Sequence, residues 1–197
     1  MCKKCGKPVQ NEQTEYCPDC LERIAQGNCW YEEGRSLWIH RPPVSGSIYQ
    51  FKFHNRRVYA KYYAKEMSER FEKQIRKWGV QTIIPIPMDR RKKRKRGYNQ
   101  AEILAQELGR MTGIPVETRL LRKRKASVPQ KRLSRSGRAR NLEHSFEVER
   151  KTTLPERVLL VDDIYTTGNT VNEASKALKK AGVDMVFFLT ISIGQDI

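Results

Sequence analysis

Long apolar runs are missing from this chain. No stretch of its 197 residues approaches the roughly 20 consecutive apolar positions that a membrane-spanning helix needs. No succession of basic, apolar and small residues marks a secretory signal, so the expectation is a soluble protein of the cell interior. Acidic residues are scarce: 22 Asp and Glu stand against 39 Lys and Arg, a formal net charge of +17. That excess goes beyond what solubility requires and calls for a polyanionic partner, nucleic acid first and anionic lipid headgroups second. A diphosphorylated small molecule would use only a few of those charges. Histidine is limited to His40, His54 and His144, whose spacing offers no ligand set, so they read as ordinary surface or packing residues. A G-x-x-x-x-G-K-[ST] loop is absent, which argues against a P-loop nucleotide hydrolase, and no helix-turn-helix pattern supports duplex reading. The length suits one domain of ordinary size plus a small appendage, with enough chain to bury a core.

Cysteine is sparse but concentrated. Four of the five fall in the first twenty residues as Cys2-x2-Cys5 and Cys17-x2-Cys20, eleven residues apart. Two such pairs on tight knuckles place four thiolates around one Zn²⁺, whereas cysteines this close are poorly placed to bond to each other. Structural zinc therefore outweighs the other readings, disulfides or a redox pair. Gly6 and Pro18 supply turn chemistry around the pairs. Cys29 is left over and reads as an ordinary buried thiol.

Aromatic residues from Trp30 to Phe53, around the Pro42-Pro43 and Gly46 break, suggest short strands or a hairpin. From Arg57 to Trp78 the period changes: Val58, Tyr62, Met67, Phe71, Ile75 and Trp78 recur at helical spacing, predicting one amphipathic helix ended by Gly79. Its aromatic stripe reads as core packing rather than a base-stacking platform. Beyond it, apolar Val80 to Pro87, a helix from about Asn99 to Met111, a strand near Val116 to Leu121, and a strand beginning at about Val158 follow one another. A helix from Val171 to Ala181, stopped by Gly182, and a last strand from Met185 to Ile193 complete the pattern. Short apolar runs alternating with helices argue an α/β fold with a mainly parallel sheet, whose ligands bind beyond the carboxyl ends of the strands.

The segment VLLVDDIYTTGNT, from Val158 to Thr170, carries the most specific chemistry. Asp162 and Asp163 emerge at the carboxyl end of a buried strand and point to opposite sides. Two carboxylates accept hydrogen bonds from vicinal hydroxyls, or hold Mg²⁺ directly or through water. Thr166, Thr167, Gly168, Asn169 and Thr170 then bring hydroxyls, a permissive glycine and free amides to a helix start, a ready phosphate site. Thr170-x-x-Glu173 also reads as a capping box, which needs no ligand. An apolar strand ending in two aspartates resembles the Mg²⁺-holding strand of nucleotide hydrolases too, but that reading needs the missing phosphate loop. As a whole the segment closely resembles the signature of type I phosphoribosyltransferases. The resemblance implies that the two acids hold the ribose hydroxyls of 5-phosphoribosyl 1-diphosphate while the loop wraps its 5-phosphate.

The run from Ile83 to Pro87 leads to Met88-Asp89 and seven consecutive cations, Arg90, Arg91, Lys92, Lys93, Arg94, Lys95 and Arg96, then Gly97-Tyr98-Asn99-Gln100. The same resemblance makes this the loop that holds pyrophosphate and its Mg²⁺, with Met88, Arg90 and Arg91 at the ligand. Seven cations exceed what one diphosphate uses, and the excess suits tracking of nucleic-acid phosphates. A solvated basic loop is the competing reading. A further stretch, Arg119 to Arg140, holds ten Lys or Arg, among them Arg122, Lys123, Arg124, Lys125, Lys131 and Arg132, and no acid. In a type I arrangement this position is a mobile loop closing over the site; a phosphate-gripping arm is the equal alternative.

Taken together, the pattern resembles the ComF family of natural-competence proteins, in which a four-cysteine zinc module precedes a phosphoribosyltransferase-like domain. The matching pieces are Cys2-Lys3-Lys4-Cys5-Gly6, Cys17-Pro18-Asp19-Cys20, Ile84-Pro85-Ile86-Pro87 and Arg96-Gly97-Tyr98-Asn99-Gln100. Gln130, Leu133, Arg138 and Asn141 leading to Phe146 follow, then VLLVDDIYTTGNT. Family members often carry a further cysteine-containing segment ahead of the pair that begins here at Cys2; four ligands still close one site. The expected division is a zinc module over 1–30, a hairpin and amphipathic helix over 31–79 belonging to the main domain, and a phosphoribosyltransferase-like core over 80–197. The resemblance implies a role in DNA uptake: binding of phosphoribosyl diphosphate with Mg²⁺, and handling of single-stranded DNA beside a helicase-like ATPase of the ComFA type. It implies a place in the cytoplasm, at the inner face of the membrane. The alternative is a working phosphoribosyltransferase, with Asp162 and Asp163 as catalytic acids and a nitrogen acceptor displacing pyrophosphate. No acceptor-recognition residues are visible.

Overall fold

In the computed structural model, residues 1–11, 13–124, 145–149 and 153–194 are described. Lys125, Lys131 and Arg132, the family-matching Gln130, Leu133, Arg138 and Asn141, and His144 lie outside them.

Four parallel strands form the main sheet: β1 (Glu33–Ile39), β2 (Thr82–Pro85), β5 (Arg157–Tyr165) and β6 (Met185–Ile193). Their spatial order is β1-β6-β5-β2. The two central strands, β5 and β6, are near-continuous apolar runs because both faces are covered. Alternation along β5 sends Leu159 and Val161 to one face and Val158 and Leu160 to the other.

The face receiving Leu159 and Val161 is covered by helices α2 (Val44–Phe53), α3 (Tyr59–Arg70), α4 (Glu72–Trp78) and α6 (Gln100–Thr112). The face receiving Val158 and Leu160 is covered by α7 (Asn169–Ala181) and by the four cysteines with their short helix α1 (Pro18–Ala25). A two-stranded antiparallel ribbon, β3 (Leu121–Lys123) with β4 (Phe146–Val148), joins that second face. The chain leaves β2 through α6 on one side and leaves β5 through α7 on the other. The crevice between β2 and β5 is thus a topological switch point, where such sheets bind ligands.

Four local expectations are corrected. The Trp30–Phe53 segment is no hairpin: β1 pairs in parallel with β6, and the residues after Pro43 form α2. Tyr49, Phe51 and Phe53 alternate like a strand, but Ile48 and Phe51 are the buried pair at helical spacing, while Tyr49 and Phe53 stay exposed. The single helix of Arg57–Trp78 is two, broken at buried Phe71, which is C-cap of α3 and N-cap of α4. Val58 and Tyr62 are exposed; small Ala60 and Ala64 instead lie buried on α3, which packs on α6. Val116 makes one parallel bridge to Ile83, and the strand that follows belongs to the separate ribbon. The seven cations are no loop but a helix, α5 (Arg90–Arg96). Asp89 caps it, accepting from the amides of Arg91 and Lys92 at 2.9 and 3.2 Å.

Candidate functional site

The four predicted thiols come together. Cys2, Cys5, Cys17 and Cys20 are all buried, with their sulfurs within 4.8 Å of one another, and Cys5 Sγ lies 3.6 Å from Cys17 Sγ. A tetrahedral ion with metal–sulfur bonds of about 2.3 Å spaces its sulfurs about 3.8 Å apart, so the donor set fits one thiolate-bound ion. No pair is close enough for a disulfide. The Cys2 knuckle is closed by Gly6 N donating to Cys2 O at 3.0 Å, and the second pair sits at the start of α1, with Cys17 as N-cap and Pro18 at the first helical position. Cys29 is only half-buried and packs against the same side.

At the switch point, β5 delivers both acids, and they do point to opposite sides. Asp163 is buried against the helical face. Lys52 of α2 pairs with its Oδ1 at 2.8 Å, and the Gln100 amide, from the first turn of α6, donates to its Oδ2. Asp162 is only partly buried and takes no ion pair among the described residues; its Oδ1 accepts from the next amide, that of Asp163, at 2.8 Å. Burial, then the charge of Asp163, raise its carboxyl to about 8 against the opposing pull of Lys52 and Lys123. Lys123 of β3 is itself held below its usual value by burial and by Lys92. Asp163 is therefore already engaged by Lys52 and Gln100, and Asp162 can accept from an incoming group once it is ionised.

Beyond Tyr165 the chain turns through Thr166, Thr167 and Gly168 into α7. Gly168 has φ +79° and sits on the Tyr165 ring: a Cβ there would lie 2.2 Å from Tyr165 Oη. Only glycine fits, on steric and on conformational grounds. Gly168 is the N-cap of α7, so Thr170 lies inside the helix rather than at the capping position expected of it. The first amides of α7 lack intrahelical partners and point out of the helix at its positive end. Thr166 and Thr167 are exposed beside them, and Thr170 is partly exposed. Asn169 turns its side chain away to accept from Arg23 at 2.6 Å.

On the other side of the crevice, Met88 is partly buried, while Arg90, Arg91, Lys92, Lys93, Arg94 and Lys95 are exposed. Lys93 pairs with Glu102 at 2.7 Å, and Arg96 donates to Gln100 Oε1 at 2.5 Å. The remaining five cations have no ion pair among the described residues. Arg122 and Arg124 meet Glu149 and Glu147 across the ribbon, whereas the charge of Lys123, between them, acts on Asp162.

Sequence reasoning missed Lys52, Gln100, Arg23 and His40 as members of this neighbourhood. His40 Nδ1 meets Ser192 Oγ at 2.9 Å, and burial and Lys52 hold its imidazole below the usual value while Asp163 opposes them. Gln100 alone had a signal, its place in the Arg96–Gln100 motif. A cavity of about 580 Å³ opens elsewhere, between the ribbon and α7, lined by Phe146, Val148, Leu154, Glu173, Lys176 and Lys180 among others.

Comparison with known proteins agrees with this geometry. The family model of the phosphoribosyl transferase domain matches residues 94–192, which contain Gln100, both acids and the loop after them. Competence protein F of Haemophilus influenzae is 33% identical over 94% of this chain and 87% of its own length. Competence protein ComFC of Streptococcus pneumoniae is 28% identical over 92% and 82%. DNA utilization protein YhgH of Escherichia coli K12 is 28% identical over 94% and 81%. Fold and site thus define a phosphoribosyltransferase-like domain with four clustered cysteines. The chain belongs to the ComF family of competence and DNA-utilisation proteins.

Proposed function

We propose that this protein is a phosphoribosyl diphosphate-binding and DNA-binding component of natural transformation, which handles incoming single-stranded DNA at the cytoplasmic face of the membrane. The observation that carries the reading is the Asp162 carboxyl at a switch point, with no ion pair among the described residues, beside a hydroxyl-bearing turn that opens a helix with no side-chain cap. Ribose hydroxyls would donate to Asp162, with Asp163 contributing charge from its pair with Lys52. The 5-phosphate would take the amides and hydroxyls of Thr166 to Thr170, and the diphosphate would meet Met88, Arg90 and Arg91. Mg²⁺, when bound with the diphosphate, would screen charge between the phosphates and Asp162. In this reading residues 1–30 are a zinc-binding module, and the ion supplies structure rather than chemistry.

For nucleic acid, the support is charge together with rings. The like charges of α5 at i,i+4 repel one another, which favours a polyanion alongside. At its end the Arg96 guanidinium lies 4.7 Å over the Phe53 ring, and Tyr49 lies 5.0 Å from Phe53, both rings exposed. Exposed rings beside a line of cations suit unstacked bases of a single strand. The ComFA-type helicase-like ATPase as partner rests on the family resemblance and on the competence and DNA-utilisation names of the relatives.

Catalysis by the same acids is the second reading, favoured by the match of the whole acid-and-loop segment to the transferase domain. Asp162 and Asp163 would then hold the sugar while a nitrogen nucleophile displaces pyrophosphate from C1. Pyrophosphate release with candidate bases, and single-strand binding against salt, measured for wild type and Asp162→Ala/Asp163→Ala, separate the two. Binding with a steep salt slope and no release is expected; release that requires both acids, with no binding at moderate salt, would defeat the binding reading.

A further inference from the structure

Three hydrogen-bonded bridges, one buried and two partly buried, run from the cysteine module to the proposed phosphate loop. Arg23 of α1, three residues beyond Cys20, is 9% exposed. Its guanidinium donates to Thr167 O and to Asn169 Oδ1, and at 3.3 Å to Asp19 O. No carboxylate pairs with it among the described residues; Asp19, one turn earlier, is taken by Lys7 at 2.6 Å. In the second bridge, Cys20 Sγ lies 3.3 Å from Tyr31 Oη, which meets Tyr165 Oη at 2.9 Å directly beneath Gly168. In the third, the Asn172 side chain, in the first turn of α7, donates to Asn28 O at 3.0 Å and accepts from Trp30 N at 2.9 Å.

A buried guanidinium without a carboxylate is costly, and this one stands beside the positive end of a helix. The carbonyl and amide oxygens it meets are dipoles and offset only part of that charge, so an anion at the turn improves the balance. At the other end of the bridge, α1 is eight residues long with no side-chain cap, too short to hold its shape unaided. Its anchors are Cys17 and Cys20.

We propose that the cysteine module sets the shape and charge of the phosphate loop through Arg23, a positioning residue, so that metal in the cluster and a phosphorylated ligand at the loop favour each other. Such coupling is reciprocal: if metal strengthens ligand binding, ligand retards metal loss by the same factor. The ligand half rests on the phosphate reading above, so the test has an arm that uses no ligand.

Hydrogen–deuterium exchange over residues 164–173 is measured on the full-length, zinc-loaded chain without ligand, for wild type, Arg23→Ala, Arg23→Lys and Asn169→Ala. Exchange should quicken by about tenfold in Arg23→Ala and less in Arg23→Lys, whose single ammonium keeps part of the bridge. Asn169→Ala cuts the bridge from the loop side and should quicken exchange with zinc content unchanged, which separates lost positioning from a disrupted module. The second arm follows transfer of zinc to a chelator with and without phosphoribosyl diphosphate and Mg²⁺. The ligand should slow transfer several-fold in wild type and not in Arg23→Ala. Wild-type exchange in both Arg23→Ala and Asn169→Ala overturns the proposal, whatever the ligand does. Quickened exchange in those variants, with no ligand binding to wild type, supports the brace and defeats the phosphate reading instead.

Discussion

The two segments proposed to meet anions flank the same crevice, and they are built in opposite ways. The turn after β5 carries no charged side chain from Thr166 to Thr170, and it is fixed from below by Tyr165, from the side by Arg23, and by a glycine that nothing else can replace. Helix α5, beyond β2, is all charge and almost no contact: seven cations in a row, two of them engaged by α6 and none buried. A braced, neutral turn with oriented amides would select one shape of anion; a bare row of exposed ammonium and guanidinium groups would select none and follow any line of phosphates. The difference teaches that net charge and recognition are separate properties, here placed on neighbouring strand ends.

The largest effects should come from breaking the braced side. Cys17→Ser removes one of four thiols from the proposed zinc site, whose binding energy would also be folding energy. Zinc should fall below about half an equivalent, α1 should lose its anchor, and loop and module should unfold together, read by metal analysis and thermal melting. Gly168→Ala should come next. A Cβ meeting Tyr165 Oη at 2.2 Å with φ +79° must displace either the ring or the turn. A loss of about 2–3 kcal/mol of stability is expected, with binding of phosphoribosyl diphosphate abolished at concentrations that saturate wild type. Calorimetric titration decides it; wild-type affinity would show that the turn is not the phosphate site.

The bare side should respond differently. Arg90→Gln/Arg91→Gln/Lys92→Gln removes three exposed cations with no ion pair among the described residues and should leave the melting temperature within about a degree or two. The slope of log affinity for single-stranded DNA against log salt should become shallower by about 2, three contacts at roughly 0.7 each. An unchanged slope would mean that α5 does not follow the strand.

The same contrast explains what could be read from sequence. The cysteine pairs and the acid-and-loop segment were legible because each is local: ligand spacing and a strand-to-helix turn are fixed within a few residues. The parallel sheet, with α6 and α7 as crossovers, was legible from period alone. What was missed is what long range supplies. Lys52 reaches Asp163 across 111 positions of chain, Arg23 reaches Asn169 across 146, and nothing in the sequence near either residue marks the meeting. Lys52 was hidden further by the alternation of Tyr49, Phe51 and Phe53, which imitates a strand inside a helix. The seven cations were expected as a loop because the family resemblance places the pyrophosphate loop there; the Asp89 cap and Gly97 at the far end turn the run into α5.

A pH titration sharpens the comparison at the acids themselves. Asp162 titrates near 8 in the folded chain against about 3.9 unfolded. The folded state therefore binds the extra proton between those values, and stability should fall as pH rises from about 4 to about 8. Asp162→Asn removes that fall. A ligand whose hydroxyls donate to the carboxylate needs it ionised, so affinity for phosphoribosyl diphosphate should rise with pH up to about 8 by as much as tenfold per unit. Proton release on binding should show as a dependence of the calorimetric heat on buffer ionisation enthalpy. Flat affinity from pH 6 to 8 in wild type would mean that ligand does not reach Asp162.

The smallest expected effect concerns the rings at the end of α5. Phe53→Ala removes an exposed side chain, 59% accessible, and so costs little stability. A base stacked on it contributes about 1–3 kcal/mol. Part of that is shared with Tyr49 and with the Arg96 guanidinium already lying over the ring, so a loss of roughly three- to tenfold in single-strand affinity is expected from the low end of that range. The salt slope should not change, because no phosphate contact is lost. This is the opposite signature to that of the three-glutamine variant, which should flatten the slope. Fluorescence anisotropy of one labelled oligonucleotide at several salt concentrations distinguishes them. A Phe53→Ala protein with reduced slope would assign the ring to ordering Arg96 rather than to stacking a base.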